Sequence, residues 1–115
     1  MLLILIFGLT LSPLSFADPN ESPLLQELFV PRNLAENRTV KLSCASIQGE
    51  SVDFHWYLND QELDSNSRRK IVSHNELSEL VIKSLSVDDI GEIKCIGQNK
   101  FGQDIQRVSL VFNGR

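Results

Sequence analysis

The side chains that most often carry chemistry are few in this sequence and lie far apart along it. Its 115 residues contain two cysteines, Cys44 and Cys95, and two histidines, His55 and His74. A catalytic histidine needs a nucleophile held beside it, and no recognisable motif places one next to either histidine. A zinc site needs four ligands, and too few remain if the two cysteines pair with each other. The sequence therefore predicts neither enzyme activity nor a metal site.

The other polar motifs also lack the patterns of cofactor and nucleic-acid sites. Asp88 and Asp89 are adjacent acids, but they are not followed by the alternating oxygen ligands and closing glutamate of a calcium loop. No phosphate-binding glycine loop, dinucleotide motif or nucleophile elbow occurs, so no cofactor is expected. The net charge of −4, from 15 acidic and 11 basic residues, disfavours a surface that tracks phosphates. Protein, and not nucleic acid, is the expected class of partner.

The first 17 residues predict a secretory signal peptide. An apolar run without charges begins at Leu2 and ends in a small-x-small pattern at Ala17. The run is shorter than the roughly 20 apolar residues that span a membrane. Cleavage after Ala17 would leave residues 18–23 as a flexible mature N-terminus. No second apolar run of spanning length follows, so no membrane insertion is expected within this chain.

The signal peptide predicts an extracellular location, either secreted or at the cell surface. This location determines how the cysteine pair and the two glycosylation sequons are interpreted. Cys44 and Cys95 are expected to form a structural disulfide in an oxidising compartment. Asn20 and Asn37 each begin a glycosylation sequon that has no proline at its middle position. A glycan cannot be packed in a protein core, so sequons that are used must face solvent.

The elements that must position these residues are short strands. Apolar and polar residues alternate with the period of a half-buried strand, as in Val40, Leu42 and Cys44. The predicted strands lie in residues 24–30, 39–44, 52–58, 71–72, 77–85, 92–98 and 108–112. Residues 65–70 have the polar composition of a loop, and Asn99 to Gly102 predicts a hairpin turn with the glycine in the left-handed conformation. Short strands without an amphipathic helix indicate an all-β sandwich.

Three residues tie the predicted strands into one core. Cys44, Trp56 and Cys95 each lie on the inward face of their own strand. A disulfide can join two packed sheets, roughly 10 Å apart, only if both sulfurs point inwards at the same height. A large indole on a neighbouring strand then fills the space beside the bridge.

With these motifs, the chain from about residue 24 to residue 113 resembles an I-set immunoglobulin domain. Its further motifs are Leu80-x-Ile82-x-x-Leu85, Asp89-x-Gly91-x-x-x-Cys95 and Cys95-x-Gly97-x-Asn99-x-x-Gly102. The resemblance implies a two-sheet Greek-key β-sandwich with one inter-sheet disulfide and with Trp56, Leu80 and Ile93 in its core. Ile93 departs from the family, which usually has a tyrosine there whose hydroxyl forms a corner. The resemblance also implies a structural turn at Asp89 and Gly91, with Asp89 paired to an arginine. Arg68 and Arg69 are both candidates.

The segment Phe29-Val30-Pro31-x-Asn33-Leu34 and the motifs around Cys44 and Trp56 are similar to domains of the Down syndrome cell adhesion molecule family of arthropods. This similarity implies an extracellular adhesion or recognition module of a multi-domain receptor, of neuronal or axon-guidance type, with homophilic binding as one option. The alternative is a stand-alone secreted domain that captures a ligand, for instance in defence.

Strand alternation also predicts where a partner would bind. The partner would be a second copy of the chain or another immunoglobulin-domain receptor. The candidate contact residues point outwards and are expected to share one sheet: His55, Tyr57, Lys94, Ile96 and Gln98.

Overall fold

A computed structural model describes residues 20–112 of the chain. The predicted signal peptide and the two ends of the predicted mature chain therefore lie outside the described residues. The strands are β1 (Val40–Ala45), β2 (Asp53–Leu58), β3 (Gln61–Glu62), β4 (Arg69–Ser73), β5 (Leu77–Ile82), β6 (Gly91–Asn99) and β7 (Gly102–Leu110). A single-turn 3-10 helix, Val87–Asp89, precedes β6. Within residues 20–112 no helix is long and apolar enough to cross a membrane.

The strands form two antiparallel sheets. One sheet has the order β1-β5-β4 and the other has the order β3-β2-β6-β7. Sequence neighbours β1 and β2 lie in different sheets, so the chain crosses between the sheets instead of forming a simple meander. This arrangement confirms the predicted all-β, immunoglobulin-like sandwich.

The core lies between the two sheets and is built from their inward-facing side chains. Leu42 and Leu80 come from one sheet, and Trp56 and Ile93 come from the other; each is at most 1% exposed. The Cys44–Cys95 disulfide joins β1 to β6, with a Cα–Cα distance of 6.6 Å, and confirms the predicted inter-sheet bridge. Burying each large aliphatic side chain stabilises the fold by about 2 kcal/mol. Because apolar residues alternate along the strands, the two sheets bury these side chains when their apolar sides face each other.

The first predicted strand is wrong in extent. Within residues 24–30 only Leu25 pairs, through an isolated bridge to Ser46. Around the bridge the Gln26 N–H donates to Ala45 O, and Leu24 O accepts from the Ile47 N–H. The pairing stops there because Leu25 and Leu28, three residues apart, are both buried in the core, which breaks the two-residue alternation of a strand. Apolar composition indicated that the segment contributes to the core, as Leu25 and Leu28 do, but it did not show that Leu24 and Phe29 are exposed.

Two local predictions also need correction. β4 begins at Arg69, inside the predicted loop, because Arg69 and Lys70 pair with the end of β5. The hairpin after Asn99 is present, but Gly102 has φ +156° and is not in the left-handed helical region. Glycine is needed there because a Cβ atom would lie 2.9 Å from the Ser22 side chain.

Candidate binding face

The pairing of β2, β6 and β7 places one set of side chains on the solvent side of the four-stranded sheet. Alternate residues of a strand point to the same face, and paired residues of neighbouring strands lie side by side. We call this set the outer face. It consists of Asp53, His55 and Tyr57 from β2, Glu92, Lys94, Ile96 and Gln98 from β6, and Gln103, Ile105, Arg107 and Ser109 from β7.

The middle row of the outer face holds its apolar residues. His55 pairs with Ile96, and Ile96 pairs with Ile105. Both isoleucines are half-buried. Ile96 was expected on this face, whereas sequence reasoning missed Ile105. The hairpin could have revealed it, because the Asn99–Gly102 closing pair sets the register that brings Ile105 beside Ile96.

The next row away from the hairpin holds an aromatic residue and two cations. Lys94 Nζ lies 4.8 Å from the centroid of the Tyr57 ring and 3.2 Å from Asp60 Oδ1. These contacts leave the Lys94 side chain only 16% exposed. Arg107 pairs with Lys94 across the strands. The lysine stem is therefore held along the sheet, which lowers the entropy that it would lose on binding a partner.

The row nearest the hairpin is polar. Asp53 pairs with Gln98, and Gln98 pairs with Gln103. Asp53 and Gln98 also line an open groove of about 570 Å³ that continues to Phe101 at the hairpin tip.

At the β3 edge of the sheet, His55 of the middle row contacts an acidic residue: its Nδ1 lies 2.7 Å from Glu62 Oε2. All five predicted contact residues thus share one sheet.

A buried carboxylate with two partly exposed arginine partners lies at the opposite end of the sandwich. Arg68 donates two hydrogen bonds to the Asp89 carboxylate at 2.9 and 3.0 Å. Arg69 donates two more, at 2.9 and 2.7 Å, so both candidate arginines contact Asp89. The Asp89 side chain is fully buried. Burial raises the pKa of Asp89, but hydrogen bonds from Arg68, Ser86 and Arg69 outweigh burial and lower the pKa from 3.8 to about 2.

The core residues named from the sequence are all buried, and the one polar atom in their side chains has a hydrogen-bond partner. Trp56 Nε1 donates to Ser78 Oγ at 2.8 Å, across the two sheets. Leu80 and Ile93 are fully buried. Ile93 fills the place of the family's tyrosine without supplying a hydroxyl. Gly91, in the predicted turn, has φ +145°, which suits glycine.

The two sequons lie at opposite ends of the sandwich. Asn20 is exposed and lines the groove beside the hairpin tip. Asn37 is also exposed, and its backbone N–H donates to Leu85 O at the end farthest from the hairpin.

The histidines and acids do not assemble a metal site in the part of the chain that is described. His74 is exposed, next to Asn75 at the start of the β4–β5 turn. No three histidine, cysteine, aspartate or glutamate side chains of residues 20–112 lie close enough together to hold a metal ion.

The chain is similar to parts of longer known proteins. It is 34% identical over 61 residues to the Zwei Ig domain protein zig-4 of Caenorhabditis elegans, covering 53% of this chain and 23% of that protein. It is 28% identical over 97 residues to the membrane-bound isoform of pro-neuregulin-1 from Xenopus laevis, covering 77% of this chain and 14% of that protein. The chain thus spans less than a quarter of the length of either relative.

Solved structures show the same fold. The Ig7 domain of Dscam1, isoform 5, has a TM-score of 0.73 and 22% identity and covers 80% of this chain and 97% of that domain. The M4 domain of titin has a TM-score of 0.71 and 17% sequence identity to this chain. The match covers 80% of this chain and 96% of that domain. The resemblance to Dscam domains is confirmed at the level of the fold. The family model of the immunoglobulin I-set domain matches residues 23–112. The chain therefore belongs to the immunoglobulin I-set family.

Proposed function

We propose that this chain is a protein-recognition module without enzyme activity, and that its outer face binds the partner. The observation that carries the proposal is the middle row, where Ile96 and Ile105 form an apolar pair between two polar rows. An apolar centre with a polar surround is the anatomy of a protein–protein contact. A single isoleucine on the outer side of a strand is ordinary, but Ile96 and Ile105, both half-buried, lie side by side and form one apolar patch.

We also propose that the module works outside the cell, in a protein that mediates cell–cell adhesion or recognition. The apolar leader, the disulfide and the exposed sequon at Asn37 support this location. Family membership alone does not decide the compartment, since one relative is named a membrane-bound isoform and another a muscle M-line assembly protein. The relatives are several times longer than the matched region, which supports a multi-domain setting.

The location is tested by expressing the chain in a eukaryotic secretory system. Mass spectrometry of the medium should find a chain that begins at Asp18 and carries a glycan on Asn37. Thr39→Ala should remove that glycan. Retention in the cell with the leader intact would contradict the proposed location.

The binding role is tested with the secreted chain and cells of the tissue that expresses it. The double variant Ile96→Asp/Ile105→Asp places charge in the middle of the outer face and should weaken cell binding about tenfold or more. Val72→Asp is the matched control, because Val72 is 52% exposed on the other sheet. Equal loss with the control, after both variants are shown to fold by thermal unfolding, would overturn the proposal.

A further inference from the structure

We propose that the groove beside the hairpin tip binds carbohydrate, and that its occupant is a glycan that this chain carries on Asn20. Asn20 begins a sequon and also lines the groove. The inference rests on the proposed extracellular location, because N-glycans are added to exported chains. It does not depend on which protein the outer face binds.

The groove has the size and the lining that a carbohydrate site needs. Its volume is about 570 Å³, within the range of roughly 300 to 1,000 Å³ that small-molecule sites occupy. A sugar presents hydroxyl groups at its edges and C–H groups on its faces, so it needs hydrogen-bonding groups and an apolar surface side by side. Glu50, Asp53 and Gln98 supply the polar groups, and Phe101 supplies the apolar surface.

The apolar surface is the aromatic ring at the hairpin tip. Phe101 is 42% exposed, although Lys100 Nζ lies 5.3 Å from the centroid of its ring. Part of the ring is therefore uncovered even with the lysine in place. The face of an aromatic ring carries partial negative charge and attracts C–H groups, which carry partial positive charge. A sugar that packs on Phe101 gains this contact and removes apolar surface from water.

The polar side chains of the groove are available to sugar hydroxyl groups. Glu50, Asp53 and Gln98 are all exposed. Within residues 20–112 their side chains have no hydrogen-bond or ion-pair partner. Carboxylates accept strong hydrogen bonds from hydroxyl groups. A sugar can therefore donate to this side of the groove without breaking a contact within the chain.

The attachment point of the glycan is held beside the groove by its neighbours. Asn99, the last residue of β6, donates from Nδ2 to Glu21 O at 2.9 Å. Gln48 Nε2 donates to Ser22 O at 3.0 Å. The two residues that follow Asn20 are thus bonded to the hairpin and to the loop after β1. A tethered ligand has a high effective concentration at a site next to its tether, which favours the chain's own glycan over a free carbohydrate.

The two sequons provide a matched pair of variants. Ser22→Ala removes the glycan from Asn20 but keeps the Cβ atom that lies beside Gly102. Thr39→Ala removes the glycan from Asn37, which lies at the end of the sandwich farthest from the hairpin. Each variant loses one hydroxyl-bearing residue and one glycan, so they differ in where the glycan was attached.

Thermal unfolding of the secreted full chain measures the contact between glycan and ring. Wild type should unfold about 3 to 6 °C above Ser22→Ala, the shift that one aromatic contact produces in a domain of this size. Thr39→Ala should unfold within about 2 °C of wild type. In a Phe101→Ala background, Ser22→Ala should cause no further loss, because glycan and ring form the contact together.

NMR spectroscopy locates the sugar directly. The glycans of the folded, secreted chain are trimmed enzymatically to their first N-acetylglucosamine. We expect nuclear Overhauser effects between the Phe101 ring protons and the sugar on Asn20, and none between that ring and the sugar on Asn37.

Three results would overturn the inference. A chain with a glycan on Asn37 and none on Asn20 would leave the extracellular location standing, whereas a chain with neither glycan would contradict the location as well. A glycan on Asn20 that has no contact with Phe101 and no effect on unfolding does not occupy the groove. Shifts of the Phe101 signals when free N,N′-diacetylchitobiose is added to Ser22→Ala, without a contact in wild type, would assign the groove to another protein's carbohydrate.

Discussion

Among single residues, Asp89 is a fully buried carboxylate that two arginines contact. A buried carboxylate is costly unless it is paired, and Asp89 receives hydrogen bonds from two guanidinium groups and from the Ser86 backbone N–H. The bidentate contact with Arg68 also raises the pKa of that guanidinium. The cluster links the start of β4 to the 3-10 helix that precedes β6.

Asp89→Asn should lower the free energy of unfolding by about 2 to 4 kcal/mol at pH 7, because it leaves two buried or half-buried cations without a counter-charge. Urea denaturation measures this loss. The control is Asp88→Asn, whose side chain is exposed; it should change stability by less than about 0.5 kcal/mol.

The same carboxylate predicts the pH dependence of stability. Its pKa in the folded state, about 2, lies below the ordinary value of 3.8. The stabilisation, roughly 2 kcal/mol, is therefore complete above pH 4 and is lost as the pH falls from about 4 to 2. The deficit of Asp89→Asn should shrink over that range. A deficit that is constant from pH 7 to pH 2 would contradict the assignment.

The sequence predicted this cluster only in part. The family resemblance implied one arginine partner for Asp89 and could not choose between Arg68 and Arg69. The structure uses both: Arg68 Nη1 donates to Asp89 Oδ2, and Arg69 Nε donates to Asp89 Oδ1. Strand patterning does not encode such side-chain contacts, and it had also placed Arg69, the first residue of β4, in the loop with Arg68.

At the scale of elements, the turn between β2 and β3 is tied to the start of β6. Asn59 and Asp60 both have positive φ, at +49° and +68°, as a two-residue hairpin turn requires. The Asn59 side chain accepts a hydrogen bond from the Glu92 N–H at 3.0 Å. Gly91 lies directly beneath this amide, and a Cβ atom there would overlap the Asn59 carboxamide.

Gly91→Ala should therefore destabilise the domain by about 2 to 4 kcal/mol, through a strained φ of +145° and the overlap with Asn59. Chemical denaturation measures the loss. In an Asn59→Gly background the same substitution should cost less, because the overlap is removed and only the backbone strain remains. An equal penalty in both backgrounds would show that the overlap makes no contribution.

The sequence predicted best those strands in which apolar and polar residues alternate strictly. Strands β1, β2, β5 and β6 follow the period of two because one side of each strand faces the core. The segment around Leu25 was harder to predict, since its bonds go to an isolated bridge and to the distant Asp104 carboxylate. Ile105 was missed for a similar reason: its position depends on the hairpin register and not on its own neighbours.

At the scale of the whole molecule, one covalent bond joins the two sheets near the centre of the core. Cys44 and Cys95 are both fully buried, and Trp56 pairs directly with Cys95 on the neighbouring strand. Because Ile93 supplies no tyrosine hydroxyl, the corner hydrogen bond usual in the family is absent from its position. The disulfide is the covalent restraint between the sheets in the described part of the chain.

Removing the bridge with Cys44→Ala/Cys95→Ala should lower the free energy of unfolding by about 4 kcal/mol, because the bond closes a loop of about 50 residues. This is a large share of the roughly 5 to 15 kcal/mol that stabilises a typical domain. Urea unfolding of wild type with and without a reductant should show the same shift. Unfolding that does not change with reduction would contradict a structural disulfide.

If the outer face of the four-stranded sheet contacts a protein partner, a photoreactive side chain placed on this face will crosslink to that partner. The most direct measurement is site-specific photo-crosslinking on cells, with a benzophenone side chain in place of Ile105 and, as control, in place of Val72. We predict a discrete crosslinked protein, which can be this chain itself, from position 105 and none from position 72. A crosslink from position 72 alone, or equal crosslinks from both positions, would contradict the claim.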